Sequence, residues 1–371
     1  MMVSIHSDLF QILRGYASLI PPNYLQFPSH LEAQTINDFL VHHVLLNPHF
    51  QQYPPSKQFQ KLFWKWVIPH LEKKLETEGD SEAEVDSRIY EHYSQELLTS
   101  SSAPSLGPGN VAGLTGQSPP PASYITHFWR PEIQRGSASV DIGEWQTTTL
   151  LESRTVIESG TTGLRTWLAS LILAQYLILN PALVHRKRIL ELGSGVGFLG
   201  SVVASLQLLA GHEDAGNLVM SDINDSVLTR CRDNIQLPCN LSSSHPDVRC
   251  RFLDWAAALD PDGIAPLTSL LREELDADLI LGADIVFDPD LIPALVAVLR
   301  LALASNSRPR TALIALTIRN PATTQKFTDS VRDGGLILEK LDVDIKDKIF
   351  MEPVEGGDAN NGVNIFRITV E

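Results

Sequence analysis

From residue 188 onward, short and long apolar segments alternate along the chain. The short runs are rich in β-branched and aliphatic residues and predict strands, and the longer segments between them have helical spacing. The five strands predicted from this repeat are residues 188–192, 217–221, 248–253, 278–282 and 311–317. Such alternation indicates an α/β fold with a mostly parallel sheet covered by helices on both faces.

The chain closes with two further strand candidates, residues 336–344 and 362–370, with no helical segment between them. Strands joined without a helical crossover predict an antiparallel edge, which gives a Rossmann-like sheet of seven strands. Upstream of the sheet, residues 145–159 predict one or two strands. Residues 164–179 predict an apolar helix that ends at Asn180-Pro181.

The first 100 residues have helical spacing over residues 31–46, 57–75 and 87–98, which predicts a small helical N-terminal domain. The apolar stripe of the second helix is predicted to contain Phe59, Leu62, Phe63, Trp66 and Val67. A proline at position 69 is expected to kink or restart this helix because it lacks a backbone N–H.

Residues 101–122 contain no charged and no aromatic side chain, and 13 of these 22 positions are Gly, Pro or Ser. A segment of this composition cannot bury enough apolar surface to offset the entropy of ordering, so we predict a flexible linker. The predicted division is therefore a helical domain at residues 1–100, the linker, and a second domain at residues 123–371.

The charge and the cysteine content limit the binding partners and the cellular compartment that the sequence predicts. The formal net charge of -15 disfavours direct binding to nucleic acid and favours a basic protein segment, unless the charge serves only solubility. The chain has no apolar run of 18 residues, its first residues lack the features of a secretory signal, and the cysteines at 231, 239 and 250 form no close pair. These features predict a cytoplasmic protein without membrane or metal sites.

A glycine-rich segment, Ile189-Leu-Glu-Leu-Gly-Ser-Gly-Val-Gly197, ends the first strand of the repeat and opens a helix. Glycines allow the sharp turn and the close approach of a ligand that such an edge binds. Asp222 ends the next strand, where a carboxylate can accept both hydroxyls of a ribose. The same spacing fits NAD, as in a dehydrogenase, or S-adenosylmethionine, and a purely structural turn is a third possibility.

Three other features favour S-adenosylmethionine over NAD. Glu191 precedes the first glycine by two residues and completes an E-x-G-x-G-x-G pattern. Trp255 follows the third strand, where an indole offers a wall for an adenine ring. Gly282-Ala-Asp284 ends the fourth strand, and no proton-transfer residue of a dehydrogenase is evident.

With these motifs the sequence resembles the seven-strand protein-lysine methyltransferases. Glu158-Ser-Gly-Thr-Thr-Gly-Leu-Arg-Thr-Trp167 is similar to the entry motif of that family. The resemblance implies a class I methyltransferase sheet that uses S-adenosyl-L-methionine to methylate a protein lysine. Carried over by position, the cofactor-binding residues are Trp167, Gly193, Ser194, Gly195, Asp222, Trp255 and Ala283.

Within the family, Thr317-Ile-Arg-Asn-Pro321 and the helical N-terminal region are most similar to the branch that methylates eukaryotic elongation factor 2. The implied substrate is therefore elongation factor 2, with residues 1–100 as a candidate recognition region or a mere cover for the catalytic domain. A different protein, RNA or a small molecule is the alternative acceptor, and a pseudo-enzyme that binds partners is a further one.

Asp284 is the candidate catalytic residue. A carboxylate stabilises an ammonium and so opposes deprotonation, which assigns Asp284 to capture and alignment of the lysine rather than to general-base catalysis. The alternative is that it hydrogen-bonds only the backbone of its own loop. Phe287 stands where the family often has a tyrosine, so a mechanism through a tyrosine hydroxyl is not available at that position.

Overall fold

The computed structural model describes residues 4–79, 84–100, 121–131, 137–158, 160–211, 215–304, 308–343, 348–352 and 362–370. Its centre is the predicted seven-stranded sheet. The strands of this sheet are β5 (Arg188–Leu192), β6 (Asn217–Asp222), β7 (Val248–Phe252), β8 (Leu279–Ala283), β9 (Thr311–Thr317), β10 (Ile337–Leu341) and β11 (Val363–Thr369).

The strand order is β10-β11-β9-β8-β5-β6-β7. β5, β6, β7, β8 and β9 pair in parallel, whereas β11 is antiparallel to both β9 and β10. The predicted antiparallel edge and the predicted Rossmann-like sheet of seven strands are therefore confirmed. Reversal of the order at β5 brings the carboxyl ends of β5, β6 and β8 together, which is where such sheets bind ligands.

Helices cover both faces of this sheet because successive strand residues point to opposite sides. One core contains Ile189 of β5 and lies under α6 (Leu168–Leu179), α7 (Phe198–Leu209) and α8 (Asp225–Ile235). The other contains Leu190 and lies under α9 (Ile264–Ser269), α10 (Ile292–Leu303) and α11 (Pro321–Asp333). Both faces are thus buried, as the nearly continuous apolar strands predict.

The N-terminal region is helical, as predicted. Its helices are α1 (Ser7–Ala17), α2 (Ala33–Phe39), α3 (Pro48–Gln52), α4 (Lys57–Glu78) and α5 (Ser87–Ser100). Two π-helical turns, Leu40–Leu45 and Leu270–Leu275, continue α2 and α9. Short 3₁₀ turns lie at Pro22–Tyr24, Ile142–Glu144, Pro181–Leu183, Leu241–Ser244 and Trp255–Ala258. The sequence analysis missed α1, although Leu9, Ile12, Leu13 and Tyr16 have helical spacing and are buried.

Four strands lie outside the central sheet. β1 (Ser4–His6) pairs with β3 (Ser139–Asp141), and β2 (Ser123–Trp129) pairs with β4 (Gln146–Glu152). Ile125 and Phe128 of β2 belong to the same hydrophobic cluster as the N-terminal helices. The core of the helical region therefore continues past the predicted linker, of which residues 101–120 lie outside the described residues. The division into domains at 100 and 123 stays a prediction.

Two details of α4 differ from the predictions. The helix does not restart at Pro69 but continues as one element, and Pro69 and Lys65, whose carbonyl would have bonded to the missing N–H, are both exposed to water. The placement of Leu62 on the buried stripe is wrong, since Leu62 is 51% exposed and Trp64 is fully buried instead. No helix among the described residues is long and apolar enough to cross a membrane.

Candidate active site

A cavity of about 600 Å³ opens at the carboxyl ends of β5, β6 and β8. The structure brings all of the predicted site residues together in its lining, although they come from segments spread over residues 167–284. These are Trp167, Gly193, Ser194, Gly195, Asp222, Trp255, Ala283 and Asp284. A volume of this size falls in the range of cofactor sites.

The glycine loop between β5 and α7 has a backbone that other residues rarely adopt. Gly193, Gly195 and Gly197 have φ angles of 63°, 55° and 89°. A Cβ atom on Gly193 would lie 2.7 Å from Ile285, and one on Gly195 would lie 3.0 Å from the carbonyl oxygen of Gly163. The loop therefore requires glycine at these positions for its own geometry, in addition to the space that it leaves for a ligand.

Ser194 and Asp222 hold the ends of β5 and β6 together. The Ser194 hydroxyl accepts a hydrogen bond from the Ser221 N–H at 3.0 Å. The Asp222 carboxylate accepts from the N–H groups of Asn224 at 3.1 Å and Gly195 at 3.4 Å. Burial is the largest influence on Asp222 and raises its carboxyl pKa.

The opposite wall is formed by the segment after β7. Asp254 accepts a hydrogen bond from the Ala256 N–H at 2.8 Å and caps the 3₁₀ turn that begins at Trp255. Trp255 lines the cavity together with the apolar side chains of Leu253, Ile223 and Leu259. This part of the cavity offers a flat indole and aliphatic contacts, which suit a planar heterocycle.

Trp167 lies just before α6 and is held by three neighbours. Its indole N–H donates to the carbonyl oxygen of Thr162 at 3.0 Å. The guanidinium carbons of Arg165 and Arg319 lie 5.0 and 4.9 Å from the centre of its ring, within the range of cation–π attraction. The sequence analysis assigned no role to either arginine.

Asp284 follows β8 with a left-handed backbone, φ 55°, and its side chain is 5% exposed. Its carboxylate accepts hydrogen bonds from the N–H and the hydroxyl of Thr317, each at 2.8 Å. Arg319 contacts the same carboxylate at 3.4 Å. The partners lie at the end of β9 and just after it rather than in the loop of Asp284, so anchoring to the neighbouring strand is a role that the sequence analysis did not consider. Alignment of a lysine by Asp284 stays a prediction.

Glu191 does not line the cavity and lies within β5, fully buried. Burial raises the pKa of its carboxyl to about 8, and its Oε2 atom has no hydrogen-bond partner. A Cβ on Gly200 would lie 2.8 Å from that oxygen, so the side chain packs against the start of α7. The glutamate of the E-x-G-x-G-x-G pattern therefore packs in the protein interior and does not line the cavity.

Among the described residues, no close group of three potential metal ligands lines this cavity. In the part of the chain that the structure describes, the one group of three neighbouring potential metal ligands is His6, Asp8 and His30, and none of them lines the cavity. The Nδ1 atom of His6 already accepts the N–H of Asp8 at 3.2 Å.

S-adenosylmethionine fits the residues that are present. Asp222 can accept ribose hydroxyls and Trp255 can flank an adenine ring. The glycine loop, Trp167 and Asp284 line the same cavity. Residues 150–333 match the model of the family described as lysine methyltransferase.

This part of the chain belongs to the lysine methyltransferase family. The protein-lysine N-methyltransferase EEF2KMT of Homo sapiens is 31% identical over 214 residues, which cover 55% of this chain and 60% of the relative. The protein-lysine N-methyltransferase EFM3 of Chaetomium thermophilum is 37% identical over 180 residues, or 48% of this chain and 50% of the relative. The predicted family is thereby confirmed.

The chain spans about half to three-fifths of the length of these curated relatives. Among solved structures, a putative methyltransferase from Streptococcus mutans is 15% identical with a TM-score of 0.39, and the match covers 70% of this chain and 58% of that one. The family assignment rests on the sequence matches alone.

Proposed function

We propose that the protein is an S-adenosylmethionine-dependent protein-lysine N-methyltransferase and that its substrate is elongation factor 2. The observation that carries the proposal is the single cavity at the switch in strand order. It collects every predicted site residue within a chain whose residues 150–333 match the lysine methyltransferase family. The three free cysteines are in keeping with a reaction in the cytoplasm.

The bound cofactor supplies an electrophilic methyl group, and the protein binds and orients the two reactants. Asp222 holds the ribose, and Trp255 forms the adenine wall. Asp284 stays our candidate for aligning the lysine amine at the other end of the cavity. Phe287, 59% exposed at the rim, offers an apolar wall for the lysine stem.

Two free energies decide whether the site needs a general base: the cost of deprotonating the lysine and the gain from orienting the reactants. A lysine amine with a pKa of about 10.4 must lose its proton before it attacks, which costs about 4–5 kcal/mol near pH 7. Holding two reactants in line contributes roughly 7–11 kcal/mol. Orientation therefore exceeds the cost of deprotonation, and a dedicated general base is not required.

One labelling experiment tests the activity and the substrate together. The protein is incubated with radiolabelled S-adenosylmethionine and an extract from cells that lack the endogenous activity. We expect one labelled band of the size of elongation factor 2, with the label on a lysine after digestion. Asp222→Ala is the control, because lost charge-assisted hydrogen bonds should weaken cofactor binding by roughly 1–3 kcal/mol. Label in RNA or in a small molecule would contradict the proposal.

We further propose that the N-terminal helices help to recognise elongation factor 2. Tyr24 and Leu62 are 54% and 51% exposed on this region, so aspartate at both positions should change the surface and leave the core intact. We expect the KM for elongation factor 2 to rise with an unchanged kcat. The matched control is Ile337→Asp, 48% exposed on β10. If the protein with aspartate in place of Tyr24 and Leu62 has the same KM as the Ile337→Asp control, the helices only cover the catalytic part.

A further inference from the structure

Arg319 contacts two of the predicted site residues, Trp167 and Asp284. It lies outside the two motifs from which those residues were predicted. It follows β9, and its guanidinium lies 4.9 Å from the centre of the Trp167 ring. The same guanidinium lies 3.4 Å from Oδ2 of Asp284, and its side chain is 34% exposed. One side chain thus bridges the segment before α6 and the end of β8.

The Asp284 carboxylate is enclosed by donors from β9 and the residues after it. Its Oδ1 atom accepts from the Thr317 N–H, and its Oδ2 atom accepts from the Thr317 hydroxyl and meets Arg319. The Ala169 N–H of α6 lies 3.5 Å from Oδ2. Of these donors only Arg319 carries a charge, so it alone can balance the negative charge of Asp284.

Five charged side chains line the cavity, and Arg319 contacts lining residues without being one itself. Arg165, from the segment before α6, lies over the same indole as Arg319. Besides Asp284, the lining contains Asp290 before α10, Asp254 after β7 and Asp222 at the end of β6. The cavity lining therefore contains more carboxylates than cations. An amine that enters beside Asp284 without Arg319 would be held as the ammonium.

We propose that Arg319 is a positioning residue that balances the charge of Asp284, so that a lysine amine at the site loses its proton at a lower pH. The inference rests on the proposed function, because it requires an amine as the acceptor. It also explains how a carboxylate can lie at a site where the nucleophile must be neutral. The guanidinium lowers the preference of the site for the ammonium, and the carboxylate keeps the arginine and the loop in place.

The test is the pH dependence of kcat for full-length variants, measured between pH 6.5 and 9.5 at saturating cofactor and protein substrate. Arg319→Met removes the charge, Arg319→Gln is a second neutral variant, and Arg319→Lys keeps the charge on a different shape. An opposite charge within contact distance shifts a pKa by about 1–3 units. We therefore expect the rise of kcat in both neutral variants to move up by about one pH unit, with about tenfold lower kcat at pH 7.5. Arg319→Lys should keep the wild-type profile.

Two further measurements separate this role from a merely structural one. Calorimetry with S-adenosylhomocysteine should give cofactor affinity within about threefold of wild type, because the altered charge acts on the amine. Arg332→Met is the matched control, since Arg332 is 57% exposed on α11 and its loss should leave the profile unchanged.

Each outcome has one meaning. Slower neutral variants with the wild-type pH profile would overturn the charge role, as would equal defects in Arg319→Lys and Arg319→Met. If the wild type labels a lysine and the profiles coincide, only this inference fails. If the wild type labels no lysine, the proposed function fails and this inference falls with it.

Discussion

The carboxyl edge of the central sheet and the N-terminal helical region are built in opposite ways. At the edge, polar side chains such as Asp222 and Asp284 converge on an open cavity from segments far apart in the sequence. In the helical region, aromatic side chains such as Phe10, Phe63 and Trp64 pack into a closed core and are at most 1% exposed. The edge of the sheet therefore leaves a cavity open to a ligand, whereas the helical region buries its aromatic side chains.

The helical region nevertheless packs against residues that lie beyond the predicted linker. The Phe10 ring of α1 lies 5.6 Å from Phe128 and 4.7 Å from Trp145, both beyond the predicted linker. The buried guanidinium of Arg14 donates to the carbonyl oxygen of Ile349, and burial lowers its pKa to about 10. Removal of the helices would expose apolar surface on the catalytic part, so recognition of a substrate is better tested by surface substitutions than by truncation.

The largest effect is expected from leucine at Gly193 or Gly195. Both positions have a positive φ, and the new side chain would meet Ile285 or the Gly163 carbonyl within 3.0 Å. We expect no measurable binding of S-adenosylhomocysteine by calorimetry. Gly335→Leu is the control, since Gly335 has a φ of 73° but no atom within 4 Å of an added Cβ. Normal binding in the folded loop variants would reject this cavity as the cofactor site.

Asp284→Ala should lose most turnover with little change in cofactor affinity, if the carboxylate aligns the lysine. Its removal also leaves the Thr317 N–H and hydroxyl without their acceptor, at a cost of about 1–3 kcal/mol in unfolding free energy. Asp284→Asn separates the two roles, because asparagine tolerates the positive φ and still accepts a hydrogen bond. Turnover per folded molecule near wild type in Asp284→Asn would indicate an anchor only.

Phe10→Ala should destabilise the protein by about 3–5 kcal/mol, as expected for a large buried aromatic side chain. Because this core also contains Ile125 and Phe128 of β2, beyond the predicted linker, we expect one unfolding transition in urea with both tryptophan fluorescence and cofactor binding as probes. Tyr24→Ala, at a position 54% exposed, is the control and should change stability by less than about 0.5 kcal/mol. Two separate transitions would show that the helical region unfolds independently.

A pH-dependent effect is expected at Glu191, whose pKa is raised from 4.5 to about 8 by burial. Between these values the unfolded chain loses the proton and the folded protein keeps it. The stabilising contribution is therefore complete below pH 4.5 and is lost as pH rises through about 8, by at most about 1.4 kcal/mol per unit.

Glu191→Gln cannot ionise, so its stability relative to wild type should increase with pH over this range. Urea unfolding at four pH values between 5 and 8 measures the slope, and Glu339→Gln on the exposed face of β10 is the control. Parallel curves for wild type and Glu191→Gln would mean that Glu191 ionises normally in the folded protein.

Local patterns predicted the sheet better than the helical region. β5 and β9 have the predicted bounds, because a strand buried on both faces is a short apolar run between polar turns. Helical periodicity was a weaker guide in α4, where Leu62 and Trp64 exchange places relative to the predicted stripe. Phe59, Phe63, Val67, Leu71 and Leu75 are buried at four-residue spacing, so the error concerned which neighbouring positions complete the buried stripe.

The sequence predicted that the site residues lie close together, but it did not predict which residues each of them contacts. Parallel strands end at one edge, so Gly193, Asp222 and Asp284 had to lie near one another. The partners of Asp284 are 33 and 35 positions away, at Thr317 and Arg319. Thr317-Ile-Arg-Asn-Pro321 at the end of a predicted strand was the one available indication of these partners.

By itself the sequence determined the order of strands and helices, the glycine loop and the strand ends that carry carboxylates. These features depend on backbone geometry and burial within one segment, and local residue types report on both. The tertiary structure decided that Arg319 contacts Asp284, that the Oε2 atom of Glu191 is buried without a hydrogen-bond partner, and that Phe128 completes the core of the N-terminal helices. Such contacts join distant segments, and their energies depend on distance and burial that only the folded chain defines.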